Sequence, residues 1–421
     1  MDGRAQILAW IEEERDEILS FFQDFIRAKS PNPPGDTTAA VAHITGFLER
    51  QGAPFRLVDP QPTMANVVGT FEGASAGKHL VLNGHIDVFP VGEDPKAEGW
   101  TQDPWGGALV DGKIYGRGSS DMKCGTASSI WTYALLHRLR GSLKGKLTLT
   151  CVSDEENFGP WGARWLMEHE PEVLGDCCLN GEPSSPFSIR YGEKGPLWLK
   201  FTVTTEGSHG AYTHASPSAT RLAARLIGDL EKLEDLTFEL PDNLMRAQAE
   251  ATEAADRAMG PGAAEILPKV TLNIGTIEGG LKLNMVPGHC SFEADLRLPV
   301  GVDKETLLAE VDKIAAQHPY ASYEEINCSL PSYCDPYGEM VEILQKNVEE
   351  LRGFKPTPVV SLGGTDARLW RHRNIPAYVY GPFPTGMASA DEHVPVDDFF
   401  HVLKTHVLSA YDYLTKENAA D

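Results

Sequence analysis

The rhythm of hydrophobic and polar positions changes twice along this chain. Ile7, Leu8, Ile11, Ile18, Phe21, Phe22 and Phe25 recur at helical spacing, as a helix with one buried face requires. Short apolar runs follow, Leu80-Val81-Leu82 and Cys177-Cys178-Leu179 among them, and such runs read as strands buried on both faces. Between them a helix is expected from Asp121 to about Arg140, carried by Ala127, Ile130, Trp131, Ala134, Leu135 and Leu139, followed by an alternating strand from Lys146 to Ser153. Elements alternating in this way up to Glu182 predict an α/β fold. From Leu197 the order is strand 197–205, helix 216–233, strands 270–277 and 288–298, helix 302–316 and strand 320–327, a ferredoxin-like βαββαβ unit. Residues 234–269, rich in Ala, Glu and Pro, are longer than that unit needs. After Pro331 the first style resumes, with a helix over 340–351 and strands at 359–360 and 377–380. The expected organisation is a discontinuous outer domain, 1–190 and 332–421, interrupted by a smaller domain at 191–331.

Composition narrows the field of partners. A length of 421 residues suffices for two domains and a large core. The net charge of −23 argues against nucleic acid or an anionic membrane as partner and favours a small-molecule substrate. Seven cysteines without CxxC spacing do not form a disulfide framework. The amino terminus lacks a signal-peptide core and no run of 18 apolar residues occurs, so a cytoplasmic enzyme is expected.

The candidate chemistry lies where predicted strands end. With 13 His and 60 acidic residues a lone His-x-Asp arises by chance, so placement decides. His85 and Asp87 follow the Leu80–Leu82 run, Asp121 ends the glycine-rich turn Gly116-Arg117-Gly118-Ser119-Ser120, Glu155 and Glu156 close the alternating strand, and Glu182 follows Cys177–Leu179. Ligands of open α/β sheets bind at that end. Together with His393 these are the donor types that hold two divalent cations, and acidic residues capping an apolar strand are costly without one. One of Glu155 and Glu156 would be a ligand and the other a base; adjacent residues point in different directions, and the residues alone leave the choice open. His79, His137 and His372, like the acidic pairs Glu12-Glu13 and Glu349-Glu350, read as ordinary surface or core positions. Gly363-Gly364-Thr365-Asp366, ahead of a short helix, is expected to offer backbone N–H groups to a substrate carboxylate.

These motifs, with Gly181-Glu182-Pro183, Asn284-Met285-Val286-Pro287, Asp295-Leu296-Arg297 and Glu392-His393, resemble in type and order the dinuclear metallopeptidase and deacylase family of acetylornithine deacetylase, succinyl-diaminopimelate desuccinylase, aminoacylase and carboxypeptidase G. The resemblance implies a zinc-peptidase-like catalytic domain built on a mixed sheet, with an inserted lid that also forms a homodimer or higher oligomer. It implies that His85 and Glu182 bind one metal, Glu156 and His393 the other, and Asp121 both, with Asp87 orienting His85 and Glu155 as general base. Zinc is the first expectation, manganese and cobalt the alternatives. Gly207-Ser208-His209-Gly210 resembles the segment that supplies an oxyanion-stabilising His from the opposing subunit, with His214 as the competing choice. Arg297 and Asn284 match positions that contact the substrate carboxylate, where a planar guanidinium suits paired hydrogen bonds. The activity implied is hydrolysis of the amide of an N-acyl amino acid or a related carboxypeptidase-like substrate. A dipeptidase and an aminohydrolase acting on an aromatic amine are the alternatives. An inactive metal- or peptide-binding module is disfavoured because Glu155 is retained.

Overall fold

The strand that ends in His85, Ser75–His85, carries Leu80, Val81 and Leu82 without exposed surface, which puts it in the middle of a sheet. In the computed structural model, which describes residues 2–416, its neighbours Lys144–Val152 and Cys177–Asn180 run parallel to it on either side. Outward from Lys144–Val152 lie Asn66–Glu72 and Arg56–Val58, both antiparallel. Outward from Cys177–Asn180 lie Ala377–Val379, parallel, and Ser188–Glu193, antiparallel. The sheet is therefore mixed, with its buried parallel strands at the centre.

Helices cover it because their apolar content demands burial. Cys124–Arg138 is buried from Cys124 to Leu136, and it packs with Val396–Thr415 over the central strand. The amphipathic opening is two helices, Gly3–Glu13 and Arg15–Arg27, and Phe22 of the second stacks on Phe399 at 4.5 Å between ring centroids. The expected helix start at Asp121 needs correcting. Residues Ser119–Lys123 form an irregular turn in which Asp121 has φ −119° and ψ 102°, and regular helix begins only at Cys124. No helix among the described residues is long and apolar enough to cross a membrane.

The chain divides into two compact units: Met1–Tyr191 with Cys334–Val359 and Thr365–Asp421, and Gly192–Tyr333 with Val360–Gly364. Met1 and residues 417–421 lie outside the described residues. The segment Val360–Gly364 groups with the second unit, unlike the expectation for residues beyond 332, because the Lys194 N–H donates to the Ser361 carbonyl at 2.9 Å. This unit is a four-stranded antiparallel sheet in the order Thr271–Gly279, His289–Leu298, Gly195–Thr204, Ala321–Cys328. Alternate residues of its two central strands are buried, and Leu199, Phe201, Phe292 and Leu296 form a core with Leu226 and Leu307 of helices Ala219–Leu230 and Lys304–Ala315. The long 234–269 link folds into helices Asp242–Glu250, Thr252–Met259 and Ala263–Ile266. The buried Lys194 ammonium caps the last of them, donating to the carbonyls of Ile266 (2.9 Å) and Lys269 (2.6 Å).

Candidate metal centre

Four loops of the first unit converge beyond the carboxyl ends of the parallel strands. His85 closes its strand, and its Nδ1 lies 2.8 Å from the Asp87 carbonyl. A carbonyl only accepts, so Nδ1 carries a proton and Nε2 is the ring atom left to a cation. Nε2 faces Asp121 Oδ1 at 3.3 Å and Glu182 Oε1 at 3.4 Å. One donor atom from each of the three residues falls within 4.8 Å of the others, an arrangement that could hold a cation.

The turn bearing Asp121 is fixed from a distance. The buried Glu392 carboxylate accepts from Arg117 Nη1 (2.7 Å) and from the N–H groups of Gly118 (3.1 Å), Ser120 (2.9 Å) and Asp121 (3.0 Å). Gly118 has φ +80°, and a Cβ there would approach Val88 Cγ1 to 2.3 Å, so the turn needs glycine at that point. Glu392 also places its neighbour His393, which starts strand His393–Pro395 opposite Tyr115. The Nδ1 of His393 donates to the Asp391 carbonyl at 2.8 Å, repeating the His85 arrangement and leaving Nε2 as the donor atom.

Asp87 does more than orient His85. Its carboxylate, 3.5 Å from His85 Nδ1, accepts from Asn32 Nδ2 (2.8 Å) and from the backbone N–H of Glu155 (3.2 Å) and Glu156 (3.1 Å). Asp87 thus ties the His85 strand to the turn bearing both glutamates. Burial opposes its charge, but His85, Asn32 and the Glu155 amide outweigh that and hold its carboxyl below the usual range. The turn is strained: Asp154 and Phe158 have φ of +72° and +51°.

The remaining carboxyls show what the cluster lacks. Burial, reinforced by Asp121, pushes the Glu182 carboxyl up to about 7. Burial likewise raises Glu155, with Asp366 adding to it, and Glu156, with Asp121 adding to it. Burial alone would lower the His85 ring's affinity for a proton, but the facing Glu182, Asp121 and Asp87 raise it well above the ordinary value. Glu156 Oε1 is buried without a hydrogen-bond partner. A buried carboxylate oxygen without a donor, beside carboxyls that resist ionising together, fits divalent cations in this place.

Not every expected residue joins this cluster. The structure assembles His85, Asp87, Asp121, Glu155, Glu156 and Glu182, with His393 held by the Glu392 turn. Arg297, Asn284 and His209 belong to the second unit. There His209 and Asn284 are neighbours: the two-residue strand Ser208–His209 pairs with Met285–Val286, and the Gly210 N–H donates to the Asn284 carbonyl at 2.7 Å. His209 Nδ1 accepts the Ala211 N–H at 3.2 Å, so the neutral ring carries its proton on Nε2. His214 is exposed and meets Tyr212 edge-on. Arg297 is bound by Asp295 through two contacts of 2.9 Å. The Gly363 N–H donates to Ser361 Oγ at 3.2 Å, which takes that donor from the expected carboxylate site. Gly364 belongs to the second unit, and Thr365 begins the next stretch of the first. Sequence reasoning gave Asn32, Arg117, Arg368 and Glu392 no role. Arg117, inside the glycine-rich turn, and Glu392, adjacent to His393, carried a local signal.

Known proteins resemble this chain along most of its length. A curated succinyl-diaminopimelate desuccinylase of Cereibacter sphaeroides is 28% identical over 404 residues, covering 93% of this chain and 97% of that protein. A solved M20 family metallo-carboxypeptidase, Sso-CP2 from Sulfolobus solfataricus, superposes with a TM-score of 0.75 at 18% identity, covering 94% of this chain and 99% of the other. The Bacillus subtilis YXEP protein, described as a dinuclear metal-binding peptidase, gives 0.66 at 16% identity, covering 96% and 99%. Peptidase family M20/M25/M40 matches residues 81–411, a span that includes every candidate ligand, so the chain belongs to that family and is a metal-dependent hydrolase of amide or peptide bonds.

Proposed function

We propose that the chain deacylates a small N-acylated amino acid, cleaving the amide beside a free carboxylate. The observation that carries this reading is the buried carboxylate cluster of His85, Asp121 and Glu182 with Glu155 beside it, in a chain that aligns along 97% of a desuccinylase. His85 and Glu182 would hold one divalent cation, Glu156 and His393 a second, and Asp121 both, with zinc ahead of manganese or cobalt. When bound, such cations polarise the scissile carbonyl and make a water acidic near neutral pH. Glu155, whose burial raises its affinity for a proton, takes the proton from the attacking water and returns it to the leaving amine. His209, with its proton on Nε2, donates to the developing oxyanion from the opposite subunit of a homodimer. Arg297 retains donors beyond those given to Asp295, and with Asn284, Gly364 and Thr365 it would bind the substrate carboxylate. Fully exposed Leu281 and Leu283 in the second unit support self-association there, and a monomer mass by light scattering would remove that part.

The test is turnover by purified protein reconstituted with Zn, Mn or Co against N-acetyl and N-succinyl amino acids, dipeptides and aryl amines. Deacylation abolished by chelation is the expected result. Cleavage of dipeptides alone, or release of ammonia from aryl amines, would replace the substrate assignment, and metal content at background would end the mechanism.

A further inference from the structure

Arg368 lies in the short helix Ala367–Arg371, and its side chain is only 4% exposed. Its Nη1 is 3.6 Å from Glu155 Oε1 and 4.0 Å from Asp366 Oδ1, and it donates to the Thr365 carbonyl at 2.5 Å. The guanidinium carbon stands 4.8 Å from the centroid of the Phe158 ring. Phe158 belongs to the same tight turn as the base, for its N–H donates to the Glu155 carbonyl at 2.7 Å.

We propose that Arg368 is the positioning residue that fixes the Glu155 carboxylate for proton transfer, an assignment that rests on Glu155 being the base. A glutamate's terminal torsion is broad, and Asp366 and Glu182 beside Glu155 disfavour its ionised form without holding it in one direction. A guanidinium held at two points, by the Thr365 carbonyl and the Phe158 ring face, supplies one attractive direction. The 3.6 Å separation matters. It is too long for a hydrogen bond, so Arg368 attracts the carboxylate without occupying the lone pair that must accept the proton. A bidentate contact would tie up both oxygens. Lysine has a point charge on a flexible stem and cannot bond Thr365 and stack on Phe158 in the same way.

The test compares Arg368→Ala and Arg368→Lys, each alone and combined with Glu155→Gln, in metal-loaded full-length protein. The substrate is whichever N-acyl amino acid the unaltered protein turns over fastest. Arg368→Ala should lower kcat on the order of 10- to 100-fold, the scale at which misplacement of a reacting group acts, with KM and metal content within about twofold. Arg368→Lys should fall between, and millimolar guanidinium should raise the kcat of Arg368→Ala but not that of the unaltered protein. In the Glu155→Gln background either change should cost less than about twofold, because the group being positioned is gone. Equal losses in both backgrounds, loss of metal, or an effect on KM alone would overturn the assignment and leave Arg368 a structural tie. If Arg368→Ala does not fold, the Arg368→Lys pair decides by the same comparison. Full activity of Glu155→Gln alone would instead overturn the base, a result separable from the failure of Arg368.

Discussion

Two adjacent glutamates acquire different roles from what surrounds them. Glu155 faces the Arg368 guanidinium at 3.6 Å, whereas Glu156 keeps Oε1 buried with no donor. The first environment suits a carboxylate that exchanges a proton; the second suits one that meets a cation. Glu155→Gln should therefore cut turnover roughly 10²–10⁴-fold, the range of a lost general base, with metal content unchanged. Glu156→Gln should lose metal. Metal analysis beside steady-state rates decides, and the opposite pairing would exchange the two roles. The sequence left this choice open because nothing local distinguishes neighbours after a strand. His85, Asp121 and Glu182 were legible because each follows a recognisable strand or glycine-rich turn. The roles of Asn32 and Glu392 were not, since their partners lie far along the chain: Asn32 bonds Asp87 from 55 residues away and Glu392 bonds Arg117 from 275.

At the scale of elements, the centre depends on how closely helix Cys124–Arg138 approaches the loop bearing Glu182. Gly125 and Gly181 face each other, and a Cβ on Gly125 would stand 1.9 Å from the Gly181 carbonyl oxygen. Backbone cannot move aside as a side-chain tip can, so Gly125→Ala should separate Asp121 from Glu182. The expected outcome is a loss of about 1–3 kcal/mol in stability, as overpacking gives, with weakened metal binding. Gly141→Ala is the control, since a Cβ there meets nothing within 4 Å. Thermal unfolding and metal stoichiometry of both variants check this, and a Gly125→Ala protein that matches the control in each would sink the argument. Periodicity located the helix but misjudged its start. The turn Ser119–Lys123 is shaped by the Glu392 carboxylate, a long-range acceptor that no 3.6-residue pattern records.

For the whole molecule, alternation and apolar runs sufficed to indicate an α/β sheet and a βαββαβ unit, since both patterns reflect which faces are buried. The grouping of Val360–Gly364 with the second unit depends on Lys194 bonding Ser361 across a long stretch of chain and had no such signature. Two sets of buried groups then give the protein opposing responses to acid. Burial pushes His401 down to about 3 and His406 to about 4, where His401 meets the Tyr380 hydroxyl at 2.6 Å and His406 donates to the Tyr380 carbonyl at 2.7 Å. Both bind protons less readily folded than unfolded. Their contribution is complete above the unfolded value of about 6.5 and is lost as pH falls from there toward 4. Glu182 behaves oppositely: raised to about 7 from an ordinary 4.5, it binds its proton more readily when folded, so without a cation stability falls as pH rises through that interval. Divalent cations favour the ionised carboxylates and remove that second trend. Metal-loaded protein should therefore lose stability steadily from pH 7 to 4.5, while chelated protein should show a flatter profile. The gap between them should be widest at and above pH 7 and close toward pH 4.5. Urea midpoints of both forms across this range provide the measurement. Parallel curves would mean that the carboxylate cluster does not bind the cations that stabilise the fold.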